Sequence, residues 1–335
     1  MGVSKTLAYG VMPDPATCAC GNRSTFDNFT RTASHEIFEA ITDPQPFSGW
    51  TPEIGDACNY YTIFDASNAP IVSTRSGQTY NVQTQWSQAR SACVSATPYL
   101  YGVVGSNLYR VDTYAGNRLN PAPTVSWART TAATSIGAGG LLYIVENNSL
   151  WSTNPSTGAY ALLGTAGAWS GPALITSIAN RLYIVENSRL FSVNPTTGAY
   201  TQLGGVSWAG ATTMTALAGS LYIIQANSLW KVNPSTGAYT VVGPANSWGG
   251  STMMTAFGNT LYIVENADLF SVNPSTGVWT KLGTGNWTGT TAMTASGTHL
   301  YIVQRTMLFQ VDTAGAWTGV GTDDWTGTVA LTPLN

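Results

Sequence analysis

Residues 208–243 read W-A-G-A-T-T-M-T-A-L-A-G-S-L-Y-I-I-Q-A-N-S-L-W-K-V-N-P-S-T-G-A-Y-T-V-V-G, and close copies of this stretch recur from Tyr101 to the end of the chain. The Tyr of its L-Y pair falls at Tyr101, Tyr143, Tyr183, Tyr222, Tyr262 and Tyr301, an offset of about 40 residues that suits a four-stranded propeller blade. Each copy divides into four short segments, here 212–216, 221–224, 229–232 and 238–242. They are rich in β-branched and aromatic residues and bounded by Gly or Asn, which favours strands and excludes a helical solenoid. The plainest turn is N-P-[ST]-T-G, at 154–158, 194–198, 233–237 and 273–277. Asn caps it through its side chain, Pro presets φ, and Gly accepts the left-handed conformation.

The ends of the repeat predict how it closes. The first copy starts directly at its second strand, 99–104, whereas the last stretch, 325–331, is a lone W-T-G-T-V-A-L strand. The piece absent from the front is the surplus piece at the back. The expected fold is therefore mainly β, a six-bladed propeller in which the C-terminal strand completes the first blade and removes the open sheet edges. Blade two is expected over about 127–164 and blade six over about 287–321. Ser95-Ala96-Thr97-Pro98 reads as a linker, so the propeller is assigned to 97–335 and a small α+β, zincin-like segment to 1–96.

Only 9% of the 335 residues are charged and the formal net charge is −3, against about 25% charged residues in ordinary soluble domains. With no basic run, nucleic acid and anionic membrane surfaces are excluded as partners. No apolar stretch approaches the roughly 18 residues of a membrane span. The composition points to a secreted, neutral-surfaced protein. Met1–Thr6 is followed by no apolar core of a signal peptide, so a removed leader or excision from a longer precursor is expected.

All four cysteines, Cys18, Cys20, Cys58 and Cys93, precede the propeller. An even number favours disulfides, with three connectivities open. Cys58 to Cys93 is the favoured bond; a bond between Cys18 and Cys20 would close a very small, strained ring. A four-thiolate zinc site competes, but the spacing lacks the paired C-x-x-C of a zinc ribbon.

Residues 30–41 have helical character, with Ala33, Ile37, Ala40 and Ile41 at helical spacing and Asp43-Pro44 as a stop. On this segment lies His35-Glu36-Ile37-Phe38-Glu39. His35 and Glu39, at i and i+4, share a face and could ligate one cation, with Glu36 placed as general base. Asp56, in Glu53-Ile54-Gly55-Asp56, is the preferred third ligand. Zinc held there would acidify a water and polarise a scissile carbonyl, Glu36 moving the proton. An ordinary amphipathic helix with a polar outer face explains the same residues.

The ordered series Ala33 to Pro44, Gly49-Trp50, Glu53 to Cys58, Gln83 to Ser87 and Cys93 resembles the C-terminal half of secreted bacterial metallopeptidase-like proteins, themselves similar to the plant phosphate-induced, EXORDIUM-like proteins. The resemblance covers nearly all of residues 7–94. It implies zinc ligands at His35 and Glu39, a catalytic carboxylate at Glu36, a further ligand at Asp56, an extracellular address and a disulfide near Cys58 and Cys93. Members of that family carry a long stretch before the Leu7-Ala8-Tyr9-Gly10-Val11-Met12-Pro13 segment, with which this sequence nearly begins. The expectation is a truncated peptidase domain that retains zinc binding and has lost catalysis.

In the propeller, near-identity of the blades points either to recent duplication or to one small site used repeatedly, as multivalent glycan binding does. One Trp per blade, at Trp127, Trp169, Trp208, Trp248, Trp287 and Trp325, could stack on a pyranose, with Glu146, Asn147, Glu186, Asn187, Gln225, Glu265 and Asn266 hydrogen-bonding its hydroxyls. A Trp at a fixed place in each blade equally packs between adjacent sheets, and the Glu equally bonds backbone amides. Strand-three pairs such as Leu229-Trp230, and Met214, Met254 and Met293, read as core. The expected function is multivalent carbohydrate binding by a secreted lectin-like propeller. A zinc endopeptidase with a targeting propeller and a protein-interaction propeller are the alternatives.

Overall fold

A computed structural model describes residues 99–334, apart from 114–115, 117, 121–124, 137–139 and 156, together with Ala33, Glu36, Gln85–Ser87 and Ala92–Val94. The chain divides into two compact units, residues 1–97 and 98–335. In the first, Ala33 and Glu36 are helical, with Glu36 exposed. Gln85–Ser87 pairs antiparallel with Ala92–Val94, placing Trp86 opposite Cys93.

The second unit is six sheets of four antiparallel strands each. Blade 4 typifies them, with an inner strand Thr213–Leu217, then Ser220–Gln225, Ser228–Val232 and an outer strand Tyr239–Val241. The other inner strands are Thr328–Pro333 in blade 1, Thr130–Ile136 in blade 2, Leu174–Ile178 in blade 3, Ser251–Phe257 in blade 5 and Thr290–Ser296 in blade 6. Blade 1 closes the ring, because its inner strand pairs with Tyr99–Val104, Leu331 opposite Gly102 and Thr332 opposite Tyr101. Asn107–Asp112 and Arg118–Leu119 complete that sheet.

Turn chemistry makes each blade. Gln225 pairs with Ser228 across a two-residue turn whose Ala226 and Asn227 have φ of 48° and 63°, the doubly left-handed hairpin that matches strand twist. At the next turn Asn233 accepts the N–H groups of Ser235 and Thr236 through Oδ1, and Gly237 has φ 74°. A Cβ on Gly237 would stand 2.7 Å from the backbone nitrogen of Gly204 in blade 3. Only glycine lets the two blades meet there.

The core is the set of six seams between blades. Alternation along Leu221-Tyr222-Ile223-Ile224 sends Leu221 and Ile223 into the cluster shared with blade 3, and Tyr222 and Ile224 into the one shared with blade 5. Both faces of the second strand are therefore dry, which explains its nearly unbroken apolar sequence. Leu229 is wholly buried beside half-buried Trp230, and Met214, Met254 and Met293 are buried.

Candidate functional site

The six repeated Trp side chains are 0 to 4% exposed, so none presents a ring face to a sugar. This corrects the expectation of stacking platforms at Trp127, Trp169, Trp208, Trp248, Trp287 and Trp325. Each sits in a seam, and its backbone N–H donates to the two-residue turn of the preceding blade, as Trp169 does to Asn148 at 2.9 Å and Trp248 to Asn227 at 2.8 Å. The repetition of Trp therefore has a packing cause: it fills the wedge between two sheets and pins one blade to the last.

The acidic residues after the second strand are similarly engaged. Glu146 accepts from the Arg129 backbone N–H at 3.0 Å and the Thr130 hydroxyl at 2.7 Å. Glu186 and Glu265 accept from the N–H groups of Gly171 and Gly250, each at 2.7 Å. Gln225 inverts the polarity, its Nε2 donating to the Ala209 carbonyl at 2.9 Å. These side chains tie the end of the second strand to the W-x-G turn, so the carboxylates are committed to backbone. Asn147, Asn187 and Asn266, exposed with φ of 47°, 47° and 57°, are turn formers. The Asn147 Oδ1 accepts from Arg129 at 3.0 Å, and the Asn187 Nδ2 donates to Glu186 at 2.6 Å.

His35, Glu39 and Asp56, and the side chains of Cys18, Cys20, Cys58 and Cys93, lie outside the described residues. Among the described residues no group of three or more His, Cys, Asp or Glu could hold a metal, and no helix is long and apolar enough to cross a membrane.

The structure brings forward a different set of aromatics. Two residues after the turn Gly, at the start of the outer strand, stand Tyr160, Tyr200, Tyr239, Trp279 and Trp317 in blades 2 to 6, between 44 and 50% exposed. Each leans on one or two rings of its own blade. Tyr200 lies 5.1 Å from Trp169 and 5.5 Å from Phe191, and Trp317 lies 6.4 Å from Trp287 and 5.4 Å from Phe309, centre to centre. Such packing holds the half-open ring in place, which yields five ledges at one register around the rim. In blade 1 the same register, opposite Val111, holds Arg118. Sequence reasoning passed over the ledges because an aromatic in a strand reads as core. The signal available was the fixed offset of G-A-Y, G-V-W and G-A-W from the turn.

The inner strands surround an axial cavity of about 390 Å³. Its wall carries threonine at one level in every blade, and no ionisable side chain lines it.

No family model matches this sequence, and no curated protein matches it. Among solved structures the chain is similar to one in a crystal structure of a nidogen/laminin complex, with a TM-score of 0.61 and 12% sequence identity over 71% of this chain and 98% of that one. At that identity the likeness extends to the fold alone, a β-propeller.

Proposed function

We propose that this protein is a secreted, multivalent carbohydrate-binding propeller whose sites are the rim ledges. The observation that carries the reading is the recurrence of a half-exposed Tyr or Trp at one register in five blades. A ring clamped by its neighbours loses little entropy on stacking against the apolar face of a pyranose. A weak site repeated around a rigid ring gains avidity on a polymeric glycan without any new contact. The few charges fit a neutral ligand.

A glycan array followed by titration of the hit tests this reading. About five equivalents per chain are expected, with Tyr200→Ala removing one of them. A blank array with folded protein sinks it. The outcome then favoured is a protein-interaction propeller, a reading supported by the likeness to the chain from the nidogen/laminin complex.

For residues 1–96 the proposal is a zinc-binding remnant of a metallopeptidase-like domain, with His35, Glu39 and Asp56 as ligands and Glu36 as the former catalytic carboxylate. Its support is the ordered motif series. Zinc content of the purified chain tests it. Casein cleavage lost in a Glu36→Ala variant would make the domain an active endopeptidase instead.

A further inference from the structure

The six threonines on the channel wall share one register. Thr134, Thr176, Thr215, Thr255, Thr294 and Thr332 each pair with the Tyr of L-Y in the adjoining strand. Three buried inner-strand threonines spend their hydroxyls on protein: Thr290 and Thr328 donate to the carbonyls of Trp287 and Trp325, at 2.7 and 2.6 Å, and Thr213 accepts the Met254 N–H at 3.1 Å. In the ring only the Thr332 hydroxyl has protein partners, Ser135 at 3.5 Å and the Pro333 carbonyl at 3.3 Å. Those of Thr134, Thr176, Thr215, Thr255 and Thr294 have none among the described residues.

Thr255 and Thr294 are only 8 and 5% exposed. The ring hydroxyls are accessible from the channel, where an occupant that both donates and accepts can pair with them. One level along, Ile175, Met214, Met254, Met293 and Leu331 form a mostly apolar collar at the same wall. Hydroxyl facing hydroxyl at the threonine ring is the chemistry of a polyol. The lack of any charged group in the wall disfavours anions and multivalent cations. A cavity of about 390 Å³ lies within the roughly 300–1,000 Å³ range of small-molecule sites.

We infer that the axial channel is a separate site that takes one neutral polyhydroxylated small molecule per chain at the threonine ring. Calorimetric titration of the full chain with myo-inositol, and in parallel with glycerol, tests it. One equivalent is expected, with affinity falling about tenfold or more in the Thr255→Val/Thr294→Val double variant, which removes two hydroxyls and keeps the β-branched shape. Thr255→Ser/Thr294→Ser keeps the hydroxyls and is expected to bind, which separates loss of the site from loss of the fold. Tyr200→Ala is expected to leave this binding unchanged, so it stands or falls apart from the rim ledges. Failure of the native chain to bind either polyol, leaving a channel of water only, overturns the inference. So does unaltered binding by the valine variant.

Discussion

The Arg118 guanidinium lies 5.2 Å from the centre of the Trp325 ring and 4.7 Å from that of Tyr109. In blade 3 the equivalent rings, Trp169 and Phe191, are met by Tyr200. A cation thus replaces the aromatic of the other five blades at the one seam where the first and last parts of the repeat meet. The same guanidinium donates to Asp323 at 2.9 Å and to the Asp324 carbonyl at 2.8 Å, binding the outer strand of blade 1 to the segment that leads into its inner strand.

Arg118→Ala is expected to destabilise the propeller by about 1–2 kcal/mol, chiefly through the lost ring contacts. Asp323 is open enough to solvent for its ion pair to be screened. Chemical denaturation measures the loss, and hydrogen exchange should quicken first in Thr328–Pro333. Arg118→Tyr restores the aromatic and is expected to raise glycan stoichiometry by one.

Truncating a rim ledge, as in Trp279→Ala, is expected to remove one binding equivalent and to lower stability by no more than about 1 kcal/mol, since half of the side chain is already wet. Titration and thermal unfolding read the two effects separately. A large stability loss with unchanged stoichiometry would make the ledges packing residues.

Trp208→Ala should do the reverse. The ring is 2% exposed between blades 3 and 4, and its removal opens a cavity at a cost of about 3–5 kcal/mol. Denaturant unfolding measures this, and the remaining ledges should bind as before in the folded fraction.

Glu265→Gln is expected to cost less than about 1 kcal/mol, whereas Glu265→Ala, which strands the Gly250 N–H, should cost about 1–3 kcal/mol. The contrast follows from blade 4, where Gln225 already fills this place.

Alkaline pH should unfold the ring. Burial pushes the phenols of Tyr101, Tyr143, Tyr183 and Tyr262 above the usual 10.0, against the lowering effect of Arg110 on Tyr101 and of Arg181 and Ser192 on Tyr183. Above that value the unfolded chain sheds protons that the folded chain keeps. The stabilisation is therefore complete below pH 10.0 and is lost as pH rises through the elevated folded values. Tyrosinate absorbance rising together with loss of near-ultraviolet dichroism is the expected record.

The blades, their turns and the closure by the last strand were legible because they are local signals. Two-residue alternation, N-P-S-T-G and the displaced W-T-G-T-V-A-L strand each occupy adjacent positions. The site was less legible because exposure in a propeller depends on the neighbouring sheet. Trp169 and Tyr200 are both aromatics near the ends of strands and in contact with each other, yet one is buried in the seam with the preceding blade and the other is half exposed. Glu186 could not be assigned to backbone before the W-x-G turn was seen folded against it. The threonine ring required the register of six inner strands, and Arg118 is matched to Tyr200 only once Gly116 is set against Gly198.

The pairing of Leu331 with Gly102 imposes a timetable on synthesis. Strand Tyr99–Val104 leaves the ribosome early, and its inner edge waits without a partner while five further blades are made. A nascent chain therefore holds an adhesive β-edge open while residues 105–327 are made, and loses it only when residues 328–333 arrive. Premature termination in the last blade would release a nearly complete ring with that edge still exposed, a species prone to pair with its own copies.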